Sequence, residues 1–484
     1  MTSPARTIVI VGGGFSGSSV AANLLRRTNW GPARVVLVER AAQAGRGTAY
    51  AQRDFKYLLN VPAGRMSANT QHPLEFLEFA RNTLPAATAD DFLPRALYGQ
   101  YLEASLLAAE LSAEPGVRLE RVQTEVRRIT RVSGPQSFRL HFANGRTLDA
   151  DDVVLALGNP PPASLPAFDS LLASSRYAED PWRVPTSCKA GETVLIIGSG
   201  LTMADVASAA TAAHDDVTIH AISRHGLVPP SQTAFKHRPC DGDSGTLLRE
   251  ASFSARRLMR AVRQLAAEMQ EKGSDWREAV TFVRALAPAI WNRLPQRERR
   301  RFLRHVRPYW DIHRHRLPQE TISVLEDLRA SNRLHVHAGR LLSAERCGDK
   351  VRVTWRGRGK YEPSTLVVDR VINCTGPEYN PHRSRDPLLQ SLLSQQLATT
   401  DALGLGLRTG AHGALLDSYG DAVGKIYYIG PLLRADHWEA TAAQELRSHA
   451  ERLASHLASA GYAAFGRTGS LPVAGRDRAR TYGA

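Results

Sequence analysis

The chain has 484 residues and a formal net charge of +15 at neutral pH, long enough for two to four domains with buried cores. No run reaches the roughly 18 uninterrupted apolar residues of a spanning helix, and the first apolar strand starts too close to Met1 for a secretion signal, so a soluble, cytoplasmic protein without a membrane partner is expected. Four cysteines, at 188, 240, 347 and 374, lie 52, 107 and 27 residues apart, which excludes a Cys-x-x-Cys redox pair and a paired metal knuckle.

Residues 8–17 read Ile-Val-Ile-Val-Gly-Gly-Gly-Phe-Ser-Gly, an apolar strand running into Gly12-x-Gly14-x-x-Gly17. Gly12 permits a sharp turn, Gly14 lets backbone approach a pyrophosphate, and Gly17 lets the next helix pack closely, with its free N–H groups aimed at phosphate. A second apolar strand, 34–38, ends in Glu39, 22 residues beyond Gly17, where a ribose hydroxyl needs an acceptor. Residues 45–50 and 57–68 are rich in Gly, Pro and Asn and read as ordered loops beside a bound dinucleotide. Apolar spacing predicts helices over 73–81 and 97–111.

Residues 117–160 alternate as a small antiparallel meander, through 117–122 and 138–142, an Asn144-Gly145 turn, and a last apolar strand that returns beside the first and ends in Gly158. After a proline-rich linker, 160–166, the opening pattern recurs at 193–206 with Gly198 and Gly200 in place and Ala204 near the third glycine position. The following strand, 217–222, ends in Ser223-Arg224-His225 instead of an acid, and an arginine there suits a ribose 2′-phosphate, favouring NADPH over NADH. Residues 333–376 restate the meander and close on Gly376, so two dinucleotide-binding units are predicted, the second inserted in the first. Between them, 244–330 is helix-rich. Its densest basic run, 297–307, places Phe302, Leu303 and Val306 at helical spacing, which favours a solvated helix face over a nucleic-acid surface. The chain ends through 425–431 and a glycine turn at Gly430 into a helix starting at Trp438.

With these elements placed, the chain resembles two-dinucleotide-binding flavoproteins, and more closely the bacterial FAD/NAD(P)-binding proteins. The stretches 47–50 (Gly-Thr-Ala-Tyr), 59–67 (Leu-Asn-Val-Pro-Ala-Gly-Arg-Met-Ser), 200–203 (Gly-Leu-Thr-Met), 310–316 (Trp-Asp-Ile-His-Arg-His-Arg) and 438–442 (Trp-Glu-Ala-Thr-Ala) carry that resemblance. More distantly it is similar to N-hydroxylating and Baeyer–Villiger flavin monooxygenases. The Baeyer–Villiger fingerprint is not matched, since the corresponding linker reads Ser-Arg-Tyr-Ala-Glu-Asp-Pro-Trp at 175–182.

The resemblance implies an α/β fold with two Rossmann-like domains: FAD bound by 1–187 with 365–462, NADPH by 188–364 with a helical insertion at 244–330, and a flexible tail at 463–484. Cofactor contacts are expected from Gly12, Gly14, Phe15, Ser16, Gly17, Glu39, Arg40, Tyr50, Asn60, Met66, Gly158, Gly198, Gly200, Leu201, Thr202, Arg224, Gly376, Gly430 and Trp438. Substrate-side candidates are Trp310, His313 and Arg316, taken to share a helix face, with His437 and Trp438 on the closing helix. His-x-His at 313 and 315 diverges on a helix and no carboxylates accompany it, so no metal is expected. Three readings stay open: a flavin monooxygenase hydroxylating the nitrogen of a small anionic or amine-bearing molecule, an FAD reductase without oxygen insertion, and a non-enzymatic redox sensor. No nucleic-acid partner is expected.

Overall fold

Two apolar strands, each ending in a glycine turn, stand at the centres of two separate parallel sheets. The computed structural model describes residues 5–133, 136–184, 186–233 and 242–465. In the first sheet Arg6–Val11 (β1) lies between Ala33–Glu39 (β2) and Asp152–Leu155 (β7), parallel to both. Val117–Gln123 (β3) extends it beyond β2, Ala422–Tyr428 (β16) beyond β7, and Ala414–Leu416 (β15) closes the edge antiparallel.

The second sheet repeats this plan. Thr193–Ile197 (β9) lies between Thr218–Ser223 (β10) and Arg370–Asn373 (β14), with Tyr177–Ala178 (β8) outside β14. Leu334–Cys347 (β11) runs parallel to β10 in its first half. Its second half pairs antiparallel with Lys350–Gly357 (β12), which pairs with Pro363–Val368 (β13). A separate three-stranded sheet joins Val126–Arg131 (β4), Phe138–Phe142 (β5) and Thr147–Ala150 (β6).

Helices cover the sheets because their apolar faces need burial. Phe15–Leu25 (α1) is sandwiched between its sheet, Arg95–Leu111 (α3) and the closing helix Ala443–Phe465 (α12), with Glu75–Arg81 (α2) against α3. Leu201–Thr211 (α4) and Gln319–Ala330 (α10) cover the second sheet, and Pro387–Ser394 (α11) packs on β4. The helical insertion comprises Gly242–Ala251 (α5), Ala255–Glu271 (α6), Trp276–Arg293 (α7), Gln296–Arg301 (α8), a π turn over Phe302–Val306, and Arg307–Arg314 (α9). An Asp275–Glu278 capping box starts α7.

Five expectations need correction. The segment 117–122 is no meander strand: β3 is the parallel edge of the first sheet, and its half-covered position gives it the alternation of a meander strand. The boundaries at 187/188 and 364/365 cut through the second sheet, since β8, β14 and the end of β13 belong to it. The two crossings instead run side by side, with Glu378 N donating to Pro161 O (3.0 Å) and Asn373 Nδ2 to Ala163 O (3.0 Å). The insertion ends before α10, which is a covering helix of the second sheet, and the closing helix starts at Ala443, since 438–442 is a turn. Of the expected tail, 463–465 belongs to α12 and 466–484 lies outside the described residues.

Gly198 has φ +114°, and a Cβ there would run into the Cys374 carbonyl, whereas one on Gly200 would meet open space. Gly198→Ala should therefore destabilise the second unit by about 2–4 kcal/mol, from backbone strain plus overpacking. Gly200→Ala should unfold like wild type. Thermal unfolding of the two variants checks this.

Candidate functional site: two nucleotide cradles and their seam

In both units the turn after the central strand passes directly beneath the backbone that follows the neighbouring strand. Gly12 (φ +103°) faces the Ala156 carbonyl as Gly198 faces that of Cys374, and neither has room for a side chain. Each turn delivers the chain to a helix whose first N–H groups have no intrahelical partner, capped by Gly14 in α1 and Gly200 in α4. Gly17 abuts the Gly12 carbonyl, which holds α1 close to β1. Gly158 (φ +71°) and Gly376 (φ +86°), just past the ends of β7 and β14, both face open space.

Strand register makes the ends of the second strands of the two units directly comparable. Val11 pairs with Val38 and Ile197 with Ile222, so Glu39 and Ser223 occupy equivalent places, as do Arg40 and Arg224. Glu39 Oε2 accepts from Gly13 N at 2.6 Å and Oε1 from Ala41 N at 2.9 Å, which fixes the carboxylate beside the glycine turn. Ser223 is instead hydrogen-bonded to Ser199 between their hydroxyls (2.8 Å). Arg40 and Arg224 are both exposed.

The loop 45–50 lies against the first cradle. Gly45 N donates to Gly13 O (2.6 Å), Gly47 Cα approaches the place of a Gly14 side chain, and Arg46 makes two 2.8 Å bonds to Glu103 of α3. Phe15, Ser16 and Met66 are buried, Phe15 stacking on Tyr98. Tyr50 packs edge-on against Tyr98, and burial pushes its hydroxyl up to about 12. Asn60 is half-buried. Gly430 (φ +142°) sits at the turn after β16.

The substrate-side candidates do not converge. Because α9 ends at Arg314, Arg316 lies past the helix, and Trp310, His313 and Arg316 share no helical face. Trp310 packs into the insertion core. His313 is exposed, its Nδ1 2.7 Å from Tyr309 O and its ring edge-on to Trp276; the Arg316 guanidinium lies 5.9 Å from the same indole. Trp438 is 4% exposed, stacked on Trp291 (4.5 Å) and covered by Arg434 (3.9 Å). His437 packs on His449 (5.0 Å), and burial lowers its proton affinity. His315 stands among Arg314, Arg434, Arg284 and Arg307, and burial and their charges hold it well below its ordinary value. Among the described residues no group of three or more His, Cys, Asp or Glu side chains is placed to hold a metal, and no helix is long and apolar enough to cross a membrane.

The seam between the units carries residues that sequence reasoning missed. Arg95, at the start of α3, donates to Asp205 of α4 (2.8 Å) and lies over the rings of Tyr57 and Trp182. Burial holds the Asp205 carboxyl above its ordinary value, against the pull of Arg95. Arg53 lies over Trp182 (5.2 Å) and donates to its carbonyl (3.0 Å), and Tyr57 and Thr186 share a hydrogen bond of 2.8 Å. Arg53, Tyr57, Arg95 and Trp182 line a cavity of about 240 Å³. Arg95 and Asp205 are 110 residues apart, and no local pattern marks either.

Three substitutions separate packing from chemistry here. Trp438→Ala should cost about 3–5 kcal/mol of stability, as loss of a core aromatic does, and Arg95→Ala about 3–5 kcal/mol, by leaving Asp205 buried and unpaired. His313→Ala, at an exposed position, should stay within about 0.5 kcal/mol of wild type. Denaturant unfolding followed by tryptophan fluorescence measures all three.

Solved structures share this architecture. The ornithine N-hydroxylase of Kutzneria sp. 744, solved with reduced FAD, NADP+ and L-ornithine, aligns with a TM-score of 0.61 over 94% of this chain and 100% of its own, at 18% identity. The ornithine hydroxylase of Pseudomonas aeruginosa, in reduced form, aligns with a TM-score of 0.61 over 94% and 99%, at 16% identity. The thioredoxin reductase of T. acidophilum gives a TM-score of 0.50 over 94% and 99%, at 13% identity. No curated protein matches the chain in sequence. The first unit is an FAD/NAD(P)-binding domain: residues 9–160 match the FAD-NAD(P)-binding family.

Proposed function

We propose that the chain is an FAD-dependent, NADPH-consuming monooxygenase that hydroxylates the nitrogen of a small amine. The observation that carries this reading is the contrast between two cradles of one geometry: Glu39 at the ribose position of the first, Ser223 followed by Arg224 in the second. Both cofactors fit the residues present. In the first cradle the side-chain-free Gly14 can approach a pyrophosphate, α1 offers its N-terminus, and Glu39 accepts from ribose, as FAD requires. In the second, Gly200 and the first turn of α4, with Leu201 and Thr202, take the NADPH pyrophosphate, and Ser223 removes the acid that would repel a 2′-phosphate while Arg224 supplies a fork for it.

FAD, when bound, supplies acceptance of a hydride from NADPH and the reaction with oxygen. The chain supplies placement. The two cradles face their strand ends, and the seam residues Arg95 and Asp205 hold α3 against α4, so the two cofactor sites keep a fixed relation. Trp182, Tyr57 and Arg53 line the cavity at this seam. His313 and Arg316 remain the proposed substrate-side groups, each beside the Trp276 indole.

Oxygen insertion is favoured over flavin reduction alone by the likeness to the ornithine hydroxylases over 94% of the chain. The likeness to a thioredoxin reductase does not carry a dithiol function, because the four cysteines contain no adjacent pair.

The protein should purify yellow, with FAD released by heat or acid; colourless protein that cannot be reconstituted with FAD overturns the reading. NADPH oxidation under air should be stimulated by small primary amines, with oxygen consumed and a hydroxylamine formed; oxidation that no amine stimulates points to a reductase. The double variant His313→Ala, Arg316→Ala should keep FAD and slow NADPH oxidation but lose the stimulation. Arg224→Ala should raise the KM for NADPH by about 1.5–3 kcal/mol and leave that for NADH nearly unchanged. Equal effects on both nucleotides would show that Arg224 does not read the phosphate.

A further inference from the structure

The end of β10 carries more positive charge than Arg224 alone. His225 follows it, and Arg358, in the turn after β12, brings Nη1 to 3.2 Å from His225 Nδ1. That turn is fixed in place, since Arg358 N donates to Ala338 O of β11 (2.8 Å), and Gly226 packs against the same Ala338. The third element here is α9, whose Tyr309 ring lies 6.0 Å from the His225 ring. Three nitrogen-bearing side chains from two different turns therefore meet one residue beyond Ser223, the ribose position of the second unit.

Their charges are not compensated. Arg224 and Arg358 are exposed, and among the described residues no carboxylate forms an ion pair with either. His225 is faced by Arg224 on its own turn, by Arg358 from the β12–β13 turn and by the uncharged Tyr309 from α9. Burial, Arg358 and Arg224, in that order, lower its proton affinity. The hydrogen bond from Arg358 also requires a bare Nδ1, so His225 is neutral in this arrangement. Like charges held together without a counter-charge cost Coulomb energy that a dianion placed among them would remove.

We propose that Arg224, His225 and Arg358 form one clamp for the 2′-phosphate monoester of NADPH, and that His225 takes up a proton when this phosphate binds. The proposal rests on the NADPH reading of the second unit and adds two residues and a proton to it. Phosphate oxygens would draw the Arg358 fork away from Nδ1, freeing that nitrogen to accept a proton and donate to the phosphate. The sign follows from the order of the two proton affinities. His225 binds its proton more tightly with phosphate present than without it. The extra affinity is therefore complete below the free-state value and disappears as pH rises through the bound-state value. The phosphate's own second ionisation, near pH 6, weakens binding on the acid side equally in wild type and variants, so the ratio between them isolates His225.

The test is calorimetric titration of the FAD-loaded, full-length protein with adenosine 2′,5′-bisphosphate and, separately, with ADP. Arg358→Ala should weaken the bisphosphate by about tenfold or more and ADP by less than about twofold. The wild-type to His225→Asn affinity ratio for the bisphosphate should fall by about fivefold between roughly pH 6 and pH 8.5, and stay flat for ADP. Titration of wild type in two buffers of different ionisation enthalpy should report net proton uptake with the bisphosphate. If Arg358→Ala binds both ligands as wild type does, or the pH ratio is flat, the clamp is refuted while the NADPH reading stands. If wild type binds ADP and the bisphosphate equally, the NADPH reading itself falls and the clamp with it.

Discussion

The architecture hangs on a backbone approach that leaves no space for a Cβ. Gly12 lies under the Ala156 carbonyl and Gly198 under that of Cys374, both with φ in the region that only glycine enters without strain. That approach locks the turn after the central strand to the end of the strand beside it. It also sets the N-terminus of α1 or α4 at the carboxyl edge of its sheet, where helix dipole and free N–H groups favour an anion. A bulkier residue at either position would move the helix off the sheet, and the phosphate site with it.

Because both units obey this constraint, their chemistry differs only in what stands at matched positions. The register that equates Glu39 with Ser223 is fixed by buried parallel pairing, not by the side chains themselves, so exchanging acid for hydroxyl changes the local charge without disturbing the sheet. The local partners follow suit. Glu39 draws a backbone N–H from Gly13, whereas Ser223 bonds the small hydroxyl of Ser199 and leaves the surrounding cations unopposed. One sheet plan thus presents a carboxylate at this position in one unit and a hydroxyl beside exposed arginines in the other.

Features dictated by local backbone constraint were legible in the sequence. The glycine turns and the β1, β2, β7, β9 and β10 strands could be read because each is written within a dozen residues, and the repeat because such segments recur in the same order. Features made by burial across the chain were not. Val117–Gln123 alternates as a half-covered strand, which describes a meander and a parallel edge equally well, and the two-residue strand β8 has no signature at all. Trp310 and Trp438 carry the same letter as an aromatic in an open pocket, and only the packing around them places both in a core. Arg95 with Asp205, and His225 with Arg358, lie 110 and 133 residues apart, so nothing local announces either pair.

That core also explains how an insertion in the second unit comes to be anchored on the first. Trp291 of α7 stacks on Trp438 and donates its indole N–H to Ala435 O (2.9 Å), both on the closing turn after β16, and Leu405 completes the same cluster. Around it, Glu439 takes Arg314 at 2.7 Å and Arg284 at 3.7 Å, while Arg284 also reaches Glu445 of α12. Apolar stacking is non-directional and would tolerate several docking poses, whereas a buried carboxylate shared by two guanidiniums tolerates very few. These charges contribute little net stability after desolvation, so their effect is on position. The insertion, which belongs to the second unit, is thereby anchored on the closing turn and α12 of the first, and the Arg95–Asp205 pair ties the two units at a second place.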